Sequence, residues 1–539
     1  MSALKNFSTA VPTQREKSRS DEVKNNAGGY VFEVSDIQRL ERFLILGTDK
    51  GTYYVGEKDL TKQNVDFIRK MIAKDPKTVL ATVIDVSDKG RAYRNEAAIF
   101  VLALMLSEPE AVQGIKQAVV EAAPRVARIA THVYQLAAFI EGLGGWGRAK
   151  RRAISKWFES KTADQLAYQA VKYRQRDGWT MRDLMRLSHP TGVDQRVGNF
   201  ILGKPVFIDL DGDSDIIDGF QKMQLASSSV EAIDILGRFT NLPWETIPTQ
   251  FLKEPEVWKQ LFANGQLKGQ ALVRQITRLS RIGAFNDMVF TRAVANALVD
   301  SDMIAKTRLH PIQYLLALVT HTEGQMQRNE SYGWYAITRK KDWVTNPVIA
   351  DALDAGFHAA FKSITPANKR TLLALDVSGS MGSAALGIDL SCAQVTAAMA
   401  MVTARVEPWY QIMGFSTSFR DLGITAKMDL ATVNRKLQGQ AFGGTDIAQP
   451  MVWALQNKIE VDTFQIYTDN ETWAGRIKPE RALKDYRQKM GIDAKLVVVG
   501  AAATPFTVGD PNDVNGTLNV AGFDTNAPSV IADFSAGRI

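Results

Sequence analysis

Thr371-Leu-Leu-Ala-Leu-Asp-Val-Ser-Gly-Ser-Met-Gly382 is the stretch on which the reading of the fold turns. Thr371–Leu375 is a short apolar run suited to a central strand of a parallel sheet. The segment that follows, Asp376-Val-Ser378-Gly-Ser380-Met-Gly382, then lies at that strand's carboxyl end, where open α/β sheets bind ligands. Asp376, Ser378 and Ser380 offer three hard oxygens to one cation, and the glycines let the loop turn tightly enough to converge them. A dinucleotide loop needs Gly-x-Gly-x-x-Gly ahead of its helix, and only Gly379 and Gly382 are present.

Toward the C-terminus, strand patterns at Tyr410–Phe415, Thr463–Tyr467 and Lys495–Val499 alternate with helical ones at Ser391–Val406, Val452–Lys458 and Pro479–Met490. The alternation predicts an α/β domain with a largely parallel sheet over residues 366–539. Two more loops, Gly443-Gly-Thr445-Asp446 and Thr468-Asp469-Asn470, fall on the same sheet edge. Alone, each loop reads as an Asx turn or a helix cap. Together, Asp376, Ser378, Ser380, Thr445 and Asp469 make an all-oxygen set that favours Mg²⁺ or Mn²⁺ over zinc. Hydrolysis at such a site would need a base or a second metal. None of the five histidines (His132, His189, His310, His321, His358) lies in this domain, and Asp446 reads as a helix cap. No catalytic residue is assigned, and the chain is expected not to be an enzyme.

Toward the N-terminus, Pro366 and Asn368 mark residues 362–370 as a linker. Before it, residues 29–365 are a succession of helical segments from Ile37–Leu46 to Pro347–Phe361, with Tyr53–Val55 and Val79–Val86 as short strand candidates. Helix pairs stacked in the HEAT manner fit this pattern, with a compact helical bundle as the alternative. Residues 1–28, rich in Ser, Lys and Asn, read as an arm that is flexible or ordered on contact. The acidic run Asp209–Asp218 has Ser214 and Phe220 where a calcium loop needs Gly and Glu, so it reads as a solvated loop.

The 539 residues, 45% hydrophobic and 23% charged, imply several globular cores and exclude a mainly disordered or collagen-like chain. The single cysteine, Cys392, excludes an internal disulfide and a thiolate zinc cluster; it reads as a buried thiol in a cytoplasmic protein. No apolar leader and no apolar run of membrane-spanning length is seen, so no membrane contact is expected. The net charge of +7 is uneven. Residues 1–365 hold 49 Lys+Arg against 41 Asp+Glu, residues 366–539 hold 16 against 17, and residues 148–186 hold 11 against 4. In that last stretch Arg148, Lys150, Arg151, Arg152, Lys172, Arg174 and Arg176 are interleaved with Trp146, Trp157, Tyr173 and Trp179. Cations among planar rings suit RNA. The alternative is a helix core whose charges face water.

The pattern Asp376-x-Ser378-x-Ser380 with Thr445 and Asp469 resembles the metal-ion-dependent adhesion site of von Willebrand factor A domains. In that family the metal keeps an open position for an acidic side chain of a partner. Gly29-Tyr-Val-Phe-Glu, Arg39–Gly47 with Gly51-Thr-Tyr-Tyr, Gly145-Trp-Gly-Arg, Lys172-Tyr-Arg-Gln-Arg-x-Gly-Trp and Arg186-Leu-Ser-His-Pro resemble the signature stretches of the Ro 60 kDa autoantigen family. The chain as a whole is similar to a bacterial Ro protein, with a TROVE module over about residues 20–365 and then the von Willebrand domain. The resemblance implies a multidomain fold, a ring of HEAT-like repeats closed by the Rossmann-like von Willebrand domain, sufficient as a monomer. It implies Y RNA on the outer basic surface, with contacts falling here on Lys172, Arg176 and His189. It also implies single-stranded 3′ ends of misfolded or immature RNA in the central hole. A separate 3′-to-5′ exoribonuclease would join through the Y RNA, in RNA quality control, ribosomal RNA maturation and stress survival. The other function class compatible with the residues is a metal-dependent protein-interaction scaffold without a direct RNA role.

Overall fold

The computed structural model describes residues 12–47, 57–207, 215–328, 337–361, 364–385, 388–437 and 443–539. Tyr53–Val55 and most of the acidic run at 209–218 lie outside them. Contacts divide the chain into two compact units, Asp66–Ala360 and a second made of Met1–Val65 together with Phe361–Ile539. The sequence boundaries 1–28, 29–365 and 366–539 assign residues 29–65 to the helical module, whereas the contacts group them with the sheet domain.

The second unit is built on a six-stranded sheet. Its order is Thr517–Ala521, Lys495–Gly500, Thr463–Thr468, Thr371–Asp376, Tyr410–Phe415 and Phe419–Asp421. The first five strands are parallel and the last is an antiparallel edge. Every residue of Thr371–Asp376 and Thr463–Thr468 is buried, as in strands covered on both faces. The helix Cys392–Val406, opened by a Ser391–Gln394 capping box, is buried over most of its surface. The chain leaves Thr371–Asp376 for Tyr410–Phe415 on one side and returns to Thr463–Thr468 on the other. That reversal opens a crevice at the carboxyl ends of the two central strands. The helix expected at Val452–Lys458 begins earlier, at Gln449, because Pro450 suits a first helical turn.

Residues 12–28 are not a free arm. Glu22–Lys24 pairs antiparallel with Tyr30–Glu33, which pairs in turn with Phe506–Thr507. Val31 joins the apolar cluster around Phe464, Ile447 and Phe506. Glu22 and Lys478 face each other at 2.6 Å, their side chains 1% and 2% exposed. Arg42, on the helix Asp36–Leu46, is buried and donates to the carbonyls of Phe506 (2.7 Å) and Thr504 (3.2 Å). Burial pulls its pKa down to about 10. Gln14, Glu22 and Asn25 are buried ties within a segment whose other polar side chains mostly face solvent.

In the helical unit several helices pack on near neighbours in sequence, as stacked pairs do. Glu96–Ser107 lies on Ala130–Gly142, Lys116–Val126 on Arg148–Glu159, and Pro347–Ala359 on both Met288–Val299 and Pro311–Glu323. Val79–Val86, expected as a strand, is helical within Pro76–Lys89. Asp75 caps it, Pro76 opens it, Gly90 ends it in the left-handed region, and Val79, Val83 and Val86 are buried at helical spacing. Tertiary burial outweighs the β-propensity of the valines. The described end of the acidic run is not a solvated loop. Asp215 caps the helix Ile216–Leu225, and buried Asp218 accepts from Arg196 at 2.7 Å. No helix among the described residues is long and apolar enough to cross a membrane.

The buried Glu22–Lys478 pair gives a direct test. Lys478→Met leaves the Glu22 carboxylate buried without its counter-charge and is expected to cost about 3–5 kcal/mol of stability in denaturant titration. The double variant Glu22→Leu/Lys478→Met is expected to recover most of that loss.

Candidate functional site

The five candidate metal-ligating residues come from three loops at the crevice. Asp376 ends its strand, and its Oδ1 accepts the backbone N–H of Ser378 at 2.9 Å. Its Oδ2 accepts the Thr468 hydroxyl at 2.7 Å, across the register that sets Tyr467 beside Leu375. Ser378 Oγ and Ser380 Oγ are 3.1 Å apart, and the Ser380 side chain favours the charged form of Asp469 against its burial. Thr445 enters through its backbone, its carbonyl accepting the N–H groups of Trp473 and Ala474 at 3.0 Å. All five residues are buried. Burial, and then the neighbouring Asp469, pushes the Asp376 carboxyl well above the ordinary range; burial does the same to Asp469. Burial and both carboxylates push the Cys392 thiol up to about 12, so it stays a neutral buried group. Asp446 accepts from Ala448 N–H (3.1 Å) and from the Gln14 side chain (2.8 Å), which places it among the loop's structural ties.

Two buried carboxylates facing each other, with three hydroxyls around them, carry negative charge that no cationic side chain in these contacts offsets. This donor set fits a hard divalent cation. Among the described residues no group of three or more His, Cys, Asp or Glu side chains assembles; this centre has two carboxylates and takes its other donors from hydroxyls. Sequence reasoning did not find Thr468, which holds Asp376, nor the side chains of Gln14 and Asn25, which reach these loops from the chain's start.

The basic candidates lie in the helical unit and divide by environment. Arg148, Arg151 and Arg152 project from the helix Arg148–Glu159 and are exposed, Arg152 bonded to Glu159 at 3.1 Å. Lys150 differs: its buried ammonium donates to Gly145 O at 2.7 Å, and burial lowers its pKa. It closes the glycine turn before the helix and is not presented to a phosphate. Trp157 is likewise core, fully buried. Trp146 and Trp179 form a partly exposed edge-to-face pair at 5.4 Å. Arg176 is exposed on the hairpin Gln175–Arg176/Trp179–Thr180, and exposed Arg174 lies over the Phe220 ring.

His189 is exposed. It ends the helix Met181–Ser188 in the left-handed conformation (φ 47°), its N–H bonded to Met185 O at 3.0 Å. Lys172 is largely enclosed, over the rings of Tyr168 and Tyr173 and 3.8 Å from Glu245. Burial opposes its charge, but both tyrosines and Glu245 outweigh it and the pKa is raised. A residue the sequence did not single out, His132, lies near Arg176; burial, Arg128 and Arg176 push its pKa down to about 3.

The comparisons bear on both halves. The description "Ro60 vWA domain" matches residues 370–535, and "TROVE domain" matches 23–206 and 240–336. A Deinococcus radiodurans protein named "RNA-binding protein RO60" is 39% identical over 98% of this chain and 97% of its own. The chain belongs to the Ro60 family. A Caenorhabditis elegans protein of the same name is 30% identical over 98% of this chain and 92% of its own. A crystal structure of the Deinococcus radiodurans RO (RSR) protein superposes with a TM-score of 0.67 at 37% identity, covering 94% of this chain and all of that one. The Ro60 family architecture accordingly holds here: an extensive TROVE-like helical region and a von Willebrand A-like sheet domain.

The raised carboxyls carry a pH prediction. Asp376 and Asp469 hold protons more tightly folded than unfolded. Their contribution to metal-free stability is therefore greatest below about pH 4 and falls as pH rises through the raised range. Thermal melts of chelator-treated protein should show that decline, and Mg²⁺ should offset it at neutral pH. Calorimetry should show Mg²⁺ affinity falling as pH is lowered through the same range, and none in Asp376→Ala.

Proposed function

We propose that this chain is an RNA-binding scaffold of the Ro60 type. A small structured Y RNA lies on the face formed by Arg174, Arg176, His189 and Lys172, with Arg148, Arg151 and Arg152 adding phosphate contacts. Single-stranded 3′ ends of misfolded or immature RNA enter the central opening that the family resemblance implies. A separate 3′-to-5′ exoribonuclease, recruited through the Y RNA, does the cutting, so the complex serves RNA quality control, ribosomal RNA maturation and stress survival. The protein works as a cytoplasmic monomer, and its von Willebrand centre holds Mg²⁺ or Mn²⁺.

The observation that carries this reading is the exposed pair Arg174 and Arg176 at the hairpin Gln175–Arg176/Trp179–Thr180, with exposed His189 at the end of the helix that follows it, in a chain similar over 98% of its length to proteins named for RNA binding. Arg176 is exposed at 53% of its side chain and, among the described residues, is opposed by the adjacent Asp177 at 3.5 Å. It is free to exchange that weak surface pair for a phosphate. Lys172 must leave Glu245 to do the same, so it contributes less. His189 projects from a helix end, where a ring can stack or hydrogen-bond.

Competitive binding of a structured small RNA at several salt concentrations tests this. Arg176→Ala is expected to flatten the slope of log affinity against log salt by roughly 0.7–0.9, and Lys172→Ala by less. His189→Ser should weaken binding while leaving the slope nearly unchanged. Unchanged affinity in all three folded variants overturns the placement. Purified protein with Mg²⁺ should leave labelled single-stranded RNA uncut, and a circular RNA should compete for the 3′-end site far less than its linear form.

A further inference from the structure

Residues 14–27 reach the loops of the candidate metal centre in the second unit. Gln14 is fully buried. Its side-chain Nε2 donates to Asp446 Oδ1 (2.8 Å) and to the Ile477 carbonyl (2.9 Å), and its Oε1 accepts from the Thr472 hydroxyl. Asp446 adjoins Thr445 on the second ligand loop, and Thr472 follows Asp469 on the third. One amide from the N-terminal segment therefore spans two of the three loops that supply the metal oxygens. Its backbone is fixed as well: Gln14 N–H donates to Gly475 O at 3.2 Å, and its carbonyl accepts Tyr30 N–H at 2.8 Å.

A second clamp grips the third loop alone. Buried Asn25 donates through Nδ2 to Thr472 O (2.8 Å) and Asn470 O (3.3 Å), while its Oδ1 accepts Gly29 N–H at 2.7 Å. Asn26 Nδ2 (2.7 Å) and Ala27 N–H (3.0 Å) both donate to the carboxylate of Glu471, itself buried. The approach is close enough to demand glycine: a Cβ on Gly29 would lie 1.9 Å from Thr472 O. Asn470, between Asp469 and Glu471, sits at φ 68°, a left-handed conformation that Asn adopts more readily than other residues with a side chain. Its neighbours hold it there from both sides, since its own Oδ1 accepts Val508 N–H at 3.2 Å.

We infer that Gln14 and Asn25–Ala27 are positioning residues of the metal centre, and that docking of this N-terminal segment and divalent-cation binding are coupled. The inference rests on the proposed Mg²⁺ or Mn²⁺ site and goes beyond it. Within residues 366–539 the second and third loops already meet through the Thr445 carbonyl, which accepts Trp473 and Ala474 N–H at 3.0 Å, and Gln14 adds a second bridge between them, through a side chain more than 400 positions away in sequence. A cation that draws Thr445 and Asp469 together favours the loop geometry the segment grips. By reciprocity it tightens the segment on the domain. Partners that hold ligating groups in orientation commonly contribute 10–100-fold to metal affinity.

The test uses the full-length protein and Mg²⁺ alone. In calorimetry Gln14→Leu is expected to weaken Mg²⁺ binding by about tenfold or more, and Asn26→Ala, at an exposed position that does not threaten folding, by a smaller factor. Lys17 and Lys24 are exposed on the docked segment. Trypsin cleavage after them should slow when Mg²⁺ is added to wild type and be indifferent to Mg²⁺ in Asp376→Ala. That second measurement needs no change to the segment itself. Wild type that binds Mg²⁺, with variants of equal affinity and cleavage at Lys17 and Lys24 unaffected by the ion, overturns the coupling while leaving the metal reading intact. Wild type that takes up no Mg²⁺ overturns the metal reading and the coupling with it.

Discussion

The constraint on which the second unit depends is electrostatic. Asp376 and Asp469 stand buried at the ends of two adjacent parallel strands, where burial, and for Asp376 the neighbouring Asp469, disfavours the charged form. Bringing two carboxylates so close is unfavourable unless protons or a metal ion neutralise them. The surrounding structure meets that cost with donors. Thr468 reaches Asp376 across the strand register, Ser378 N–H caps it, and the Ser380 side chain favours the charged form of Asp469. The parallel sheet fixes the strand ends, and the reversal of strand order opens the crevice between them. Fold and site therefore share one cause.

The same logic explains the polar opening of the chain. Gln14, Glu22, Asn25 and Arg42 would read as surface residues in most contexts, yet each is buried here. Each meets a backbone carbonyl, a loop carboxylate or an opposite charge that would otherwise stay unsatisfied. Loops at a sheet edge expose such groups, and a segment of ordinary polarity satisfies them where an apolar one could not. Specific pairing is what these residues contribute; the apolar contribution of the segment is confined to positions such as Val31.

In the helical unit, charge and exposure have to be separated. Lys150 and Arg151 are neighbours on one helix, but Lys150 bonds Gly145 O inside while Arg151 faces water. Trp157 fills the core, whereas Trp146 and Trp179 meet edge to face near the surface. A basic count over 148–186 treats these alike. What a polyanion meets is the subset on the hairpin, the helix face and the helix end.

The sequence by itself determined the elements whose signal is local. Continuous apolar runs marked the strands at 371–375, 410–415, 463–467 and 495–499, because strands buried on both faces need no polar alternation. Asp376-x-Ser378-x-Ser380, Thr445 and Asp469 were legible because oxygen donors at strand ends follow from residue type and spacing. The resemblance carried the family. Tertiary structure alone decided the rest. Val79–Val86 became helical because burial of a helical stripe outweighs β-propensity. Residues 12–28 joined the sheet domain because their partners lie more than 400 residues away, and no local period encodes a hydrogen bond from Gln14 to Asp446. Lys150 and Trp157 left the candidate RNA face because only packing distinguishes an inward from an outward side chain in a helix rich in both.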